Sequence, residues 1–139
     1  GGGPVGGGLA IATTSAGGFP VVDNFDSIDI SILNNVASGG GVAGFGVDVL
    51  DGTISGNTAN GNNIGFFVIN VNGGTISGNT ASGNSRGFFV FDFPGGNTAV
   101  FSNNSSTSNT VLGYNILSGT PFDGVGTNTG FGNGGGDNF

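Results

Sequence analysis

The phrase GTISGNTANGNNIGFFVIN at residues 52–70 returns 22 residues later as GTISGNTASGNSRGFFVFD at residues 74–92. Thr53-Ile54-Ser55-Gly56-Asn57-Thr58-Ala59 recurs as Thr75-Ile76-Ser77-Gly78-Asn79-Thr80-Ala81, and Gly65-Phe66-Phe67-Val68 as Gly87-Phe88-Phe89-Val90. Degenerate copies flank the pair. Aligned on asparagine, the series is Asn35, Asn57, Asn79 and Asn104, with offsets of 22, 22 and 25. A glycine series, Gly44, Gly65, Gly87 and Gly113, keeps nearly the same step. A period of this length is the mark of a stacked repeat, and four coils are its minimum content.

Within each repeat, short β-branched or aromatic runs (Gly-Thr-Ile-Ser, then Gly-Phe-Phe-Val) are separated by glycine, asparagine and serine. That is strand punctuation. No glycine-free window carries the i, i+3, i+4, i+7 stripe of a helix. Two or three short strands per turn, stacked in register, form a parallel β-solenoid whose coils rise about 4.8 Å each. Stacked asparagines can then join their amides into a ladder, here Asn35, Asn57, Asn79 and Asn104. Asparagine also tolerates the left-handed backbone of a sharp corner.

The run Gly74 to Val90, with its near copy Gly52 to Val68, resembles the right-handed parallel β-helix repeat of the NosD-like and pectate-lyase-like superfamily. The resemblance spans residues 30–118 and weakens outward. It implies an all-β fold, a short right-handed β-helix of about four coils. That superfamily includes lyases, hydrolases, adhesins and structural proteins, so fold alone assigns no activity.

The expected organisation is a glycine-rich arm at 1–20, a solenoid at 21–118 and a second glycine-rich arm at 119–139. Leu9, Ile11, Phe19, Phe122, Phe131 and Phe139 punctuate the two arms and suggest docking across a neighbouring subunit.

Charged residues are only 6% of the chain: eight aspartates, and Arg86 as the sole base, for a net charge of −7. This balance argues against nucleic acid and anionic membrane surfaces as partners. No run is apolar for the ~18 residues that a membrane-spanning helix needs. Histidine and cysteine are absent, which removes histidine-based triads, thiol nucleophiles and nitrogen or sulfur metal sites. Paired carboxylates at catalytic separation have no counterpart either, because Asp92 in one repeat is matched by Asn70 in the other. The expectation is a non-enzyme without cofactor or metal.

Side chains alternate across a strand, so one parity of Gly65-Phe66-Phe67-Val68-Ile69 must point outward. With Phe66 and Val68 inside, the outward stripe is Phe67, Ile69, Phe89 and Phe91; the opposite parity exposes the other set. A contiguous apolar stripe marks a contact surface. Open solenoid ends are a second one, because their strands have unpaired edges. The expected function is a structural subunit that polymerises with itself into an extracellular or cell-surface filament, fibre or sheath. The alternative is a non-catalytic module for carbohydrate or ice, presenting rows such as Thr53/Thr75 and Thr58/Thr80.

Overall fold

The structure, a computed structural model, describes residues 10–11, 22–28, 31–39, 42–50, 52–92, 99–118 and 122–138. It is a β-solenoid of three sheets. The long sheet runs in the order Ala10–Ile11, Val22–Ile28, Ala43–Leu50, Ile64–Asn72, Arg86–Asp92, Leu112–Ser118, Asp137–Asn138. The first short sheet stacks Ser31–Leu33, Thr53–Ser55, Thr75–Ser77, Ala99–Ser102 and Phe122–Asp123, and the second stacks Val36–Ser38, Thr58–Asn60, Thr80–Ser82, Ser105–Thr107 and Thr129–Phe131. Every coil-to-coil pairing is parallel, and the repeat sets the register: Thr53 lies opposite Thr75, Thr58 opposite Thr80, Phe66 opposite Phe88. Among the described strands only Ala10–Ile11 runs antiparallel, along the Val22–Ile28 edge.

The interior is a bundle of columns, each filled by one residue type per coil. Ile32, Ile54, Ile76 and Phe101 form the first, Ala37, Ala59, Ala81 and Ser106 the second, and Phe45, Phe66, Phe88 and Tyr114 the third; all are buried. Val47, Val68 and Val90 lie beside the aromatic column. The strand spacing dictates the ring spacing. Phe45 stacks on Phe66 at 4.8 Å, Phe66 on Phe88 at 4.8 Å, and Phe88 on Tyr114 at 5.1 Å, with planes within 9° of parallel. Such stacked pairs contribute about 0.5–1.5 kcal/mol each beyond the area they bury. Parity is thereby settled: Phe66 and Val68 face inward, and Phe67 faces out.

Two corners in each coil require a left-handed backbone. Asn34, Gly56, Gly78 and Asn103 occupy the first, with φ between 54° and 68°. Gly39, Gly61, Gly83, Ser108 and Gly132 occupy the second. The strained position is the residue before each ladder asparagine, not the ladder asparagine itself. The left-handed corner that the sequence suggested for the ladder residues therefore moves back by one.

Residues 122–138, set aside by composition as an arm, continue the stack as a fifth coil. Phe122–Asp123, Thr129–Phe131 and Asp137–Asn138 each pair in parallel with coil four. Glycine is what allows it: the fifth coil closes against the fourth at Gly124, beside Ser102, and at Gly134 and Gly135, beside the carbonyls of Thr110 and Val111, with no side chains to accommodate. Of the amino-terminal arm only Ala10 and Ile11 lie among the described residues.

Candidate functional site

The four predicted ladder residues come together. Asn35 donates its backbone N–H (2.9 Å) and Nδ2 (3.2 Å) to Asn57 Oδ1. Asn57 does the same to Asn79 Oδ1 at 3.0 Å for both bonds, and Asn79 to Asn104 Oδ1 at 3.0 Å for both. The remaining Nδ2 hydrogen reaches back to the preceding coil, from Asn57 to Ile32 O (2.7 Å), Asn79 to Ile54 O (2.9 Å) and Asn104 to Ile76 O (3.1 Å). Asn79 is buried and uses every polar atom of its amide. The ladder also goes one rung further than the sequence suggested, from Asn104 to Asn128 Oδ1.

A second ladder, unforeseen, lies five residues downstream. Asn62, Asn84, Asn109 and Asn133 repeat the geometry, with backbone N–H donors 2.9 to 3.1 Å from the next Oδ1. Its signal was present in Gly56-Asn57…Gly61-Asn62 and Gly78-Asn79…Gly83-Asn84, a second Gly-Asn per repeat. Asn62 Oδ1, at the first rung, is buried without a hydrogen-bond partner. By the 22-residue step the corresponding sequence position one repeat earlier is Gly40, which has no side-chain amide.

Between the second ladder and the aromatic column runs the glycine series. A Cβ on Gly65 would stand 2.6 Å from the Gly87 carbonyl oxygen, and one on Gly44 2.8 Å from that of Gly65. Backbone occupies the space a side chain would need.

Near the carboxyl-terminal end the columns turn polar. The Tyr114 hydroxyl lies 2.8 Å from the carbonyl oxygens of both Asn104 and Thr129, which share its one proton. Burial, and then the negative charge of Asp137, push its ionisation well above the ordinary phenol range, against a smaller opposing effect of the bond to Thr129. Asp137 itself stands opposite Tyr114 in register, with its carboxylate held at 3.3 Å by Asn133 Nδ2.

On the outer face of the long sheet, Phe67 and Phe89 are half-buried and stack at 5.6 Å with planes 19° apart. The column ends at Gly46 on one side and Asn115 on the other. In the neighbouring column Ile69 aligns with Phe91, and Phe91 with Leu117. Phe91 is 37% exposed and Leu117 45%. The Ile69 side chain lies outside the described atoms. The predicted stripe is thus one stacked pair beside an apolar row rather than a ridge along the whole solenoid.

Fold and columns together define a parallel β-helix pinned by two asparagine ladders. The NosD family profile, described as "Periplasmic copper-binding protein (NosD)", matches residues 11–133, and the chain belongs to that family. No curated protein and no solved structure matches it.

That description names copper, and the donor set here does not fit it. Copper sites are built from thiolate, thioether and imidazole ligands, and this chain has no cysteine, methionine or histidine. Among the described residues, no three of His, Cys, Asp and Glu converge on a point. The amides that do converge are consumed in the ladders, Asn62 Oδ1 excepted.

Proposed function

We propose that this chain is a non-catalytic structural subunit that associates with copies of itself, through the outer face of the long sheet, into a filament, fibre or sheath outside the cytoplasm. The observation that carries this reading is the outward Phe67–Phe89 stack beside Phe91 and Leu117. The interior already buries its own aromatic column, so this second set is not needed for the core. Covering it would contribute several kcal/mol at ~25 cal/mol per Å2 of apolar surface. The family description, a periplasmic protein, supports a place in the cell envelope; the cell surface and the exterior are the finer form of the same reading.

Sedimentation velocity and electron microscopy of the purified chain test it, with Phe89→Ser as the comparison. Assembly of the parent and its loss in a variant of unchanged circular dichroism are expected. A parent that remains a monomer at all concentrations overturns the reading, as does a variant that assembles equally well.

A carbohydrate- or ice-binding module is the second reading. Thr58, Thr80, Ser105 and Thr129 stack in register on the outer face of the second short sheet, a hydroxyl row four coils long. Coil one interrupts it with Val36. A monomer that shows thermal hysteresis or is retained on a polysaccharide column would favour this reading over the first.

A further inference from the structure

We infer that contact through the long sheet is gated by charge: ionised Asp23 and Asp48 hold two copies apart, and salt or protonation lets them meet. The gate rests on the lateral association proposed above and regulates that same face.

The register places both residues. Asp23 lies opposite Gly46, Gly46 opposite Phe67, and Phe67 opposite Phe89, on which its ring stacks. Asp48 lies opposite Ile69, and that row continues through Phe91 to Leu117. One aspartate thus heads the aromatic column and another heads the apolar row. Strand spacing sets Asp48 ~5 Å from the Ile69 position and Asp23 ~10 Å from Phe67 along the solenoid axis. Both lie within about a Debye length at ~0.1 M salt, so each charge reaches the contact whichever way its carboxylate turns.

The rest of the sheet cannot neutralise them. Its described strands carry Asp23, Asp26, Asp48, Asp92 and Asp137, with Arg86 and Tyr114 as the other titratable side chains. Tyr114 is a buried, neutral phenol. Five carboxylates therefore stand against one guanidinium in each copy, in whatever orientation two copies approach. The described strands of the second short sheet carry no charged residue, and those of the first carry only Asp123. Charge is concentrated on the sheet that also presents the outward rings. Like charges brought together across a contact oppose both encounter and binding.

Carboxylates gathered beside others of the same sign hold their protons more tightly than in separate chains, where the ordinary value is ~3.9. Assembly therefore takes up protons. It strengthens as pH falls from neutral towards ~4, and weakens as pH rises through the range in which the assembled carboxylates ionise. Salt strengthens it too, by screening. A contact held instead by Arg86 against a partner's aspartate would weaken with salt.

Sedimentation velocity of the full chain tests this at about pH 7 and about pH 4.5, each in ~10 and ~200 mM salt. The comparison is a double variant, Asp23→Asn with Asp48→Asn. Asp123→Asn is the control, because it removes charge from the first short sheet instead. At neutral pH the concentration needed for association should fall roughly tenfold between the two salt levels, and roughly tenfold in the double variant at the lower one. The double variant should also respond less to salt and acid, whereas Asp123→Asn should behave as the parent. Phe89→Ser should stay dispersed throughout, which separates this contact from isoelectric precipitation. A parent that associates equally at both salt levels, or more weakly at the higher, overturns the gate and leaves lateral association standing. So does a double variant that behaves like Asp123→Asn. A parent that is monomeric under every condition overturns both.

Discussion

Asn57 donates both its backbone N–H and its side-chain amide to one oxygen, Asn79 Oδ1, at 3.0 Å each. The same amide group of Asn79 then donates to Ile54 O in the preceding coil and to Asn104 Oδ1 in the next. One side chain thus joins three successive coils.

Removing it should be far more damaging than removing a terminal rung. Asn79→Ala leaves two donors of Asn57 and the Ile54 carbonyl without their partner in a buried setting, and at ~1–3 kcal/mol per orphaned group the loss should be about 3–5 kcal/mol. Asn35→Ala removes only one of two donors to Asn57 Oδ1, so about 1 kcal/mol is expected. Urea unfolding of both variants checks the ratio. Equal losses would mean that the ladder does not act as a continuous column.

Two glycines separate steric from conformational need. Gly65 faces the Gly87 carbonyl, so Gly65→Ala should lose about 2–3 kcal/mol through overpacking against backbone that cannot retreat. At Gly61 a Cβ meets nothing within 4 Å, but φ is +67°, and Gly61→Ala should lose only about 1–2 kcal/mol. Denaturant midpoints of the two variants should fall in that order.

Alkaline pH should loosen the fold through one group. Burial and Asp137 raise the Tyr114 ionisation above its unfolded value of ~10. The unfolded chain therefore loses its phenolic proton first. Stability is fully present below pH ~10 and declines as pH rises beyond it, by up to ~1.4 kcal/mol per unit, until the folded phenol ionises. The chain has no second tyrosine, no cysteine and no lysine to add to this effect. Tyr114→Phe should be less stable at neutral pH by about 1 kcal/mol but flat across the alkaline window. A parent stability curve that is equally flat would contradict the burial of the phenol.

Copper should leave the protein unchanged. A site loaded at a hundred times its Kd would stabilise the fold by ~2.7 kcal/mol. We expect no such shift in the unfolding midpoint with Cu(I) or Cu(II), measured on a chain with an acetylated amino terminus so that the terminal amine is not itself a ligand. A copper-dependent shift would show that oxygen donors alone build a site here.

The sequence made the coil, the register and the first ladder legible because identical phrases must stack on identical phrases. Parity was not legible: Phe66 and Phe67 are the same residue, and only the interior volume decides which turns inward. The fifth coil was missed because glycine dominates its composition, although Asn128-Thr129…Gly132-Asn133 repeats the frame of Asn57-Thr58…Gly61-Asn62. Its asparagines were the signal and its glycines the distraction. The second ladder hid for a related reason, since Gly-Asn reads first as a turn and only secondarily as a donor-acceptor pair.

Every rung of both ladders points the same way. Each Oδ1 bonded within a ladder receives its donors from the preceding coil, so the amide dipoles add along the solenoid axis instead of cancelling. The chain therefore has electrical polarity, with the donor end at the carboxyl terminus, much as a helix has its donor end at the amino terminus. Asp137 sits at that end, its carboxylate 3.3 Å from Asn133 Nδ2, the last amide of the second ladder. An anion is favoured there for the reason it is favoured at the start of a helix, and a lysine placed at the same position would face the field of two aligned columns.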